Sequence, residues 1–163
     1  MDKKLALTIF PIATAILLAL DLLLKVWAQE NLMGQPGFSL ISGILGLTYL
    51  ENSGVAFGMF ANAAWGQWAF SILKIVVIIG LAWYYYARIP FEKRHWLIRV
   101  PLILVVSGGM GNLVDRITLG HVRDMLTFEF MNFPVFNLAD VYVVIGCFAM
   151  AFVTMFVIKD FPQ

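Results

Sequence analysis

The chain has 163 residues, of which 61% are hydrophobic and only 13% charged, with a formal net charge of +1. A soluble domain of this size is about 45–50% apolar and about 25% charged; with a mean hydropathy of +0.87, too little charge is present to solvate a globular surface, and lipid is the expected solvent. The near-neutral balance gives no electrostatic footing for nucleic acid, and the single cysteine, Cys147, excludes an internal disulfide and reads as a small packing residue in an apolar run.

Four segments reach the roughly 20 apolar residues a spanning helix needs. They cover about residues 5–25, 68–87, 97–113 and 138–158. Helices are the expected form, because lipid offers no partner to an open backbone amide. The first span is interrupted only by Asp21, and the second contains Lys74, for which the sequence indicates no partner. A basic start makes the first span comparable to a signal peptide, but its apolar stretch is long and no small-x-small site follows, so it is expected to be retained.

Lysine and arginine set the orientation. Lys3 and Lys4 precede the first span, Arg88, Lys93, Arg94 and Arg99 crowd the link between the second and third, and Lys159 follows the fourth. Residues 26–67 contain neither lysine nor arginine. Both termini and the 88–99 link are expected in the cytoplasm, with segments 26–67 and 114–137 outside. In the first of these, Leu45, Leu47 and Tyr49 alternate with Gly46, Thr48 and Leu50, a strand pattern. Glu51-Asn52-Ser53-Gly54 then reads as a turn and Val55-Ala56-Phe57 as a second short strand. The fold expected is therefore an α-helical integral membrane protein, with four transmembrane helices, a small extracytoplasmic β-sheet and a single domain over residues 1–163.

Polar residues outside the cytoplasmic segments gather at one depth. Asp21 and Lys25, four apart on one helix face, end the first span. Asn112, Asp115 and Arg116 end the third, Asn137 and Asp140 open the fourth from outside, and Asn52 and Asp124 lie in the two outward segments. Each has an ordinary reading: Asn137 with Asp140 as a helix cap, Asp124 beside Arg123 as a loop charge, Asp21 with Lys25 as an interfacial pair, and Ser107 to Gly111 as a close-packing helix surface. Ionisable groups near a membrane interior are costly, so their convergence points to a site.

No zinc-ligand spacing is present, and His95 and His121 fall on opposite sides of the membrane, so no metal is expected. Cys147 lies deep in the fourth span, away from any base, and is a poor nucleophile candidate. Carboxylates remain. Two held close share one proton, the ionised member activating water while the protonated one polarises a carbonyl. Asp124 on an outer loop and Asp140 at a helix end are the best pair.

Five segments in order resemble the lipoprotein signal peptidases (signal peptidase II): Asp21-Leu-Leu-Leu-Lys25, Asn52-Ser-Gly-Val-Ala-Phe-Gly58, Gly108-Gly-Met-Gly-Asn-Leu-Val-Asp-Arg116, Gly120-His-Val-Arg-Asp124 and Phe136-Asn-Leu-Ala-Asp140. The resemblance spans essentially the whole chain. It implies an aspartic endopeptidase without a cofactor, with Asp124 and Asp140 as the catalytic dyad. It implies that Asn52, Gly54, Asn112, Arg116 and Asn137 support the dyad and position substrate, and that Asp21 and Lys25 brace the site, while Asp115 has a structural role. The implied substrate is a bacterial prolipoprotein, cut just before a diacylglyceryl-modified cysteine at the outer face of the cytoplasmic membrane, by an enzyme expected to be a monomer. The chain departs from the family pattern in the three leucines between Asp21 and Lys25 and in Arg123-Asp124-Met125, where a neighbouring cation would favour ionised Asp124. Phe57, Phe60 and Trp65 are expected to anchor at the interface. The alternative from another class is a small proton- or ion-coupled carrier using Asp21, Lys25, Asp115 and Arg116; the chain has neither the internal repeat nor the midplane carboxylate that such a protein favours.

Overall fold

In the computed structural model, residues 3–53, 64–89 and 95–157 are described. Four long helices, α1 (Lys3–Leu32), α2 (Ala64–Ala87), α3 (Trp96–Leu119) and α4 (Leu138–Phe152), carry a sheet of β1 (Phe38–Ile41), β2 (Leu45–Asn52) and β3 (Val122–Phe128). A π-helical stretch, Val153–Val157, continues α4. Leu7–Leu32, Trp96–Leu119 and Leu138–Val157 are each long and apolar enough to cross a membrane, and Ile72–Ala87 is a further apolar helix. Their outward faces are apolar: Leu23, Ile79 and Phe148 are among the most exposed side chains, as a lipid solvent allows.

The central helix is α3, with 56% of its span buried against 17% of α1 and 11% of α4. Its glycines explain the close fit to α4. A Cβ on Gly108 would strike the Ala139 carbonyl oxygen, and one on Gly111 would strike the Asp21 carboxylate. On the α4 side, a Cβ on Gly146 would lie 2.8 Å from the Pro101 carbonyl oxygen. The glycine run thus has its packing reading, of the small-residue kind typical of membrane helices, and this same approach delivers the start of α4 to the polar end of α1. At the end of the bundle away from the sheet, Phe10, Tyr85, Ile89, Ile98 and Leu102 form the main apolar core.

The sheet is antiparallel in the order β1-β2-β3. It rests on the outer end of α1 through Leu47 and Met125 against Ala28 and Leu32. Several segments differ from the sequence expectation. Helix α1 continues past Lys25 to Leu32 because residues 26–32 bring no breaker. Asp124 lies in a strand rather than a loop. Gly120, at φ 80° in the left-handed region, ends α3 with its N–H on the Arg116 carbonyl, and the chain turns directly into β3. Strand β2 also extends through Glu51 and Asn52, where a turn was expected. Gly54, the expected strand at residues 55–57, and Phe57 and Phe60 lie outside the described residues, as does the side chain of Trp65.

Candidate active site

Strand alternation first sorts the residues around Asp124. Successive side chains on a strand point to opposite faces. Arg123 and Met125 face α1, and Asp124 faces the start of α4. Arg123 gives Asp115 two guanidinium contacts, Nη2 to Oδ1 at 2.7 Å and Nε to Oδ2 at 3.2 Å, and a third to Gln29 Oε1 at 3.1 Å. Its backbone N–H also donates to Asp115 Oδ2 at 3.0 Å. The cation beside Asp124 is thus engaged on the opposite face, and Asp115 has the structural role expected of it. Gln29 gave no sequence signal, because nothing local marks a residue one turn beyond the expected end of the first span.

Antiparallel pairing brings Asn52 across to Asp124. Leu50 pairs with Asp124 and Asn52 with Val122, so Asn52 and Asp124 share a face as diagonal neighbours. Asn52 Nδ2 donates to Asp124 Oδ2 at 2.8 Å. On the other edge of β3, the amides of Met125 and Leu126 donate to the Phe136 carbonyl, and Phe136 N–H donates to Leu126 O. This lateral bonding places Asn137 beside Asp124.

Asn137 is the junction of the site. Its Oδ1 accepts from Asp140 N–H at 3.0 Å while Asp140 Oδ2 accepts from Asn137 N–H at 3.2 Å, a reciprocal capping box. Its Nδ2 donates to Asp124 Oδ1 at 2.6 Å and to Asn112 Oδ1 at 3.0 Å. The helix-cap reading of Asn137 is therefore correct, and the cap is part of the polar cluster rather than an alternative to it. Asn112, from α3, completes the bridge: its Nδ2 donates to Asp140 Oδ1 at 2.7 Å, and its Oδ1 also accepts from Lys25 Nζ at 3.0 Å.

Behind this lies a fully buried ionic layer. Lys25 Nζ is 2.8 Å from Asp21 Oδ2 and 3.6 Å from Asp115 Oδ2, with all three side chains inaccessible. Asp21 Oδ1 accepts from Ala139 N–H at 2.9 Å, which meets one of the open donors of the first turn of α4. Asp21 and Lys25 are therefore interior, not the interfacial pair that their place in the sequence allows. Asp124 and Asp140 between them present four carboxylate oxygens, each accepting one donor from Asn52, Asn112 or Asn137. Burial pushes the Asp124 carboxyl up to about 6, with the negative charge of Asp140 adding to the rise and the Asn52 and Asn137 donors opposing it.

The remaining residues divide. Arg116 is half-buried at the outer end of α3, and its Nε has no hydrogen-bond partner among the described residues. Lys74 of α2 lies within electrostatic reach of Arg116, Asp140 and Lys25. Cys147 is exposed on α4, lining an apolar groove with Leu81 and Tyr84 of α2. It is not a packing residue, because Gly146 beside it takes the α3-facing position. Among the described residues, no group of three or more histidine, cysteine, aspartate or glutamate side chains is arranged to hold a metal ion.

Comparison with known proteins gives the family. The chain is 41% identical over 138 residues to the lipoprotein signal peptidase of Streptococcus agalactiae, covering 85% of this chain and 86% of that protein. It is 38% identical over 146 residues to the lipoprotein signal peptidase of Streptococcus pyogenes, with 90% of each covered. A solved bacterial membrane enzyme, obtained by the in meso method, superposes with a TM-score of 0.81 at 22% identity, covering 91% of this chain and 94% of that one, which shows a shared fold. The family described as Signal peptidase (SPase) II matches residues 13–157, and the chain belongs to that family of membrane proteases.

Proposed function

We propose that this chain removes signal peptides from diacylglyceryl-modified bacterial prolipoproteins by an aspartic mechanism, with Asp124 and Asp140 as the dyad. The observation that carries this reading is the asparagine scaffold. Asn52, Asn112 and Asn137 converge from β2, α3 and the start of α4 on the two carboxylates, which fixes both side chains before substrate arrives. With its proton held toward neutral pH, Asp124 is the acid and polarises the scissile carbonyl. Asp140 is the base that takes a proton from water. Water adds to the carbonyl carbon, the C–N bond breaks, and the leaving amine takes a proton from the dyad.

Asp21 and Lys25 brace this site from below by holding Asn112 and the first turn of α4. Arg116 stands on the substrate side, and Gly54 follows Asn52 in the same motif. The substrate is itself a membrane helix whose cut lies near the outer interface, so its lipid chains stay in the bilayer while the bond reaches the carboxylates. The basic residues Lys3, Lys4, Arg88, Lys93 and Arg94 support a cytoplasmic location for both termini and an outer-face site in the cytoplasmic membrane. The whole chain acts as one domain and as a monomer. The test compares cleavage of a prolipoprotein peptide with and without its diacylglyceryl group by the purified chain in detergent. Cleavage before the modified cysteine, at least about tenfold faster with the lipid, is expected. Failure to cleave, together with ion flux in vesicles, would favour the carrier.

A further inference from the structure

Lys74 has no task in the hydrolysis proposed above, and Arg116 is there placed only on the substrate side. Lys74 is half-buried in α2, and its level is fixed by packing. Ile78, one turn nearer the cytoplasm on the same helix face, lies against Gly109 of α3, where a Cβ would be 3.2 Å from Ile78 Cδ1. Helix α2 runs inward and α3 runs outward. One turn outward from Ile78 therefore sets Lys74 opposite the α3 segment that holds Asn112 and Arg116. The charges of Arg116 and Asp140 act on Lys74 across this gap. A lysine this far from the helix ends is costly in a span, yet among the described residues no carboxylate lies within ion-pair distance of Lys74 or Arg116.

The charges facing this region come from every element around it: Asp21 and Lys25 of α1, Lys74 of α2, Asp115 and Arg116 of α3, Arg123 and Asp124 of β3, and Asp140 of α4. Asp21 and Asp115 are matched by Lys25 and Arg123 in the buried layer. A dyad carrying one proton is matched by Arg116. Lys74 is left over, so the charge balance here favours one further anion. An intact peptide bond brings none, but hydrolysis creates one, the new C-terminal carboxylate of the severed signal peptide.

We propose that Lys74, with Arg116, forms a carboxylate subsite that holds the new C-terminus of the cleaved signal peptide. This deepens the function proposed above and rests on it. Ammonium and guanidinium groups in a poorly hydrated wall recognise a carboxylate far better than a neutral amide. The signal peptide then leaves after the lipoprotein and inhibits the enzyme as a product.

The test uses two apolar peptides of one signal-peptide sequence, one ending in a free carboxylate and the other in an amide, as inhibitors of cleavage by the full chain at about pH 5, where the dyad keeps its proton and a C-terminal carboxyl is ionised. For the wild type, the acid should inhibit at least about tenfold more strongly than the amide. Lys74→Met replaces the ammonium by an apolar chain of similar length that the span accommodates, and should reduce the ratio to about twofold or less. Lys74→Gln should behave likewise, and Lys74→Arg should keep the preference. Equal inhibition by acid and amide in the wild type, or an undiminished ratio in both Lys74→Met and Lys74→Gln, would overturn the proposal. The dyad is judged separately, by whether Asp124→Asn and Asp140→Asn still cleave, which leaves the acid-to-amide ratio untouched.

Discussion

Two fully buried cations sit at opposite ends of this bundle and are held in different ways. At the end that carries the sheet, Lys25 is held by carboxylates and by Asn112, which itself touches Asp140. At the opposite end, the described groups that hold Arg99 are neutral. Its Nη1 donates to the Tyr85 carbonyl at 3.1 Å, its Nη2 to the Ile89 carbonyl at 2.7 Å, and its guanidinium lies 4.3 Å from the Tyr85 ring centroid. Those carbonyls close the end of α2, where a helix is short of donors and its dipole favours a cation. Both side chains lie near the ends of apolar helices and look alike in sequence. Arg99 fastens two helices together, whereas Lys25 connects the frame to the chemistry.

This contrast can be broken by experiment. Lys25→Met should have the larger effect. It strands Asp21 as a buried charge, Asp115 keeping Arg123, which costs on the order of 3–5 kcal/mol, and it releases Asn112. Thermal unfolding in detergent and kcat should fall together, and adding Asp21→Leu should recover stability but not turnover. Arg99→Met should cost about 2–3 kcal/mol through lost hydrogen bonds to a charged group and lower the unfolding temperature. Its kcat at low temperature should stay within about threefold of wild type; a collapse of kcat in the folded variant would mean that the two ends are coupled.

The smallest effect sharpens the outer end alone. In the proposed mechanism Asp124 acts in its acid form, and its carboxyl is raised to about 6, so kcat/KM of the wild type should decline as pH rises beyond about 6. The Asn52 donor favours the ionised form and so opposes the rise. Removing it in Asn52→Ala keeps the proton on Asp124 to higher pH and should move the alkaline limb up by about one unit, with a lower rate throughout. A limb that stays in place would remove Asp124 from the role of acid.

Much of this was legible in the sequence, for a physical reason. In an apolar chain every polar residue at membrane depth stands out, so Asp21, Lys25, Asn112, Asn137 and Asp140 marked the site before any fold was known. The strands were harder to see. Phe38–Ile41 is short and exposed throughout and shows no alternation. In Val122–Phe128 the first four residues are all buried, because one face meets α1 and α3 and the other meets Asn52 and Asn137, so the period-two signal is lost and Asp124 passes for a loop residue. Cross-chain partners also escaped. That Arg123 turns to Asp115 and Gln29, away from Asp124, depends on pairing between residues far apart in sequence. The bonds of Arg99 to the end of α2 belong to the same kind.

The central claim is that Asp124 and Asp140 together perform the hydrolysis within an intact asparagine scaffold. The most direct test measures single-turnover cleavage of a lipid-modified prolipoprotein peptide by wild type, Asp124→Asn and Asp140→Asn, with the unfolding temperature of each recorded on the same preparation. Both variants should bind the peptide and unfold close to wild type, while cleavage falls at least about a thousandfold in each. If either folded variant cleaves within about tenfold of wild type, the dyad is not the catalytic pair, and the carboxylate at that position is a helix cap or a sheet contact only.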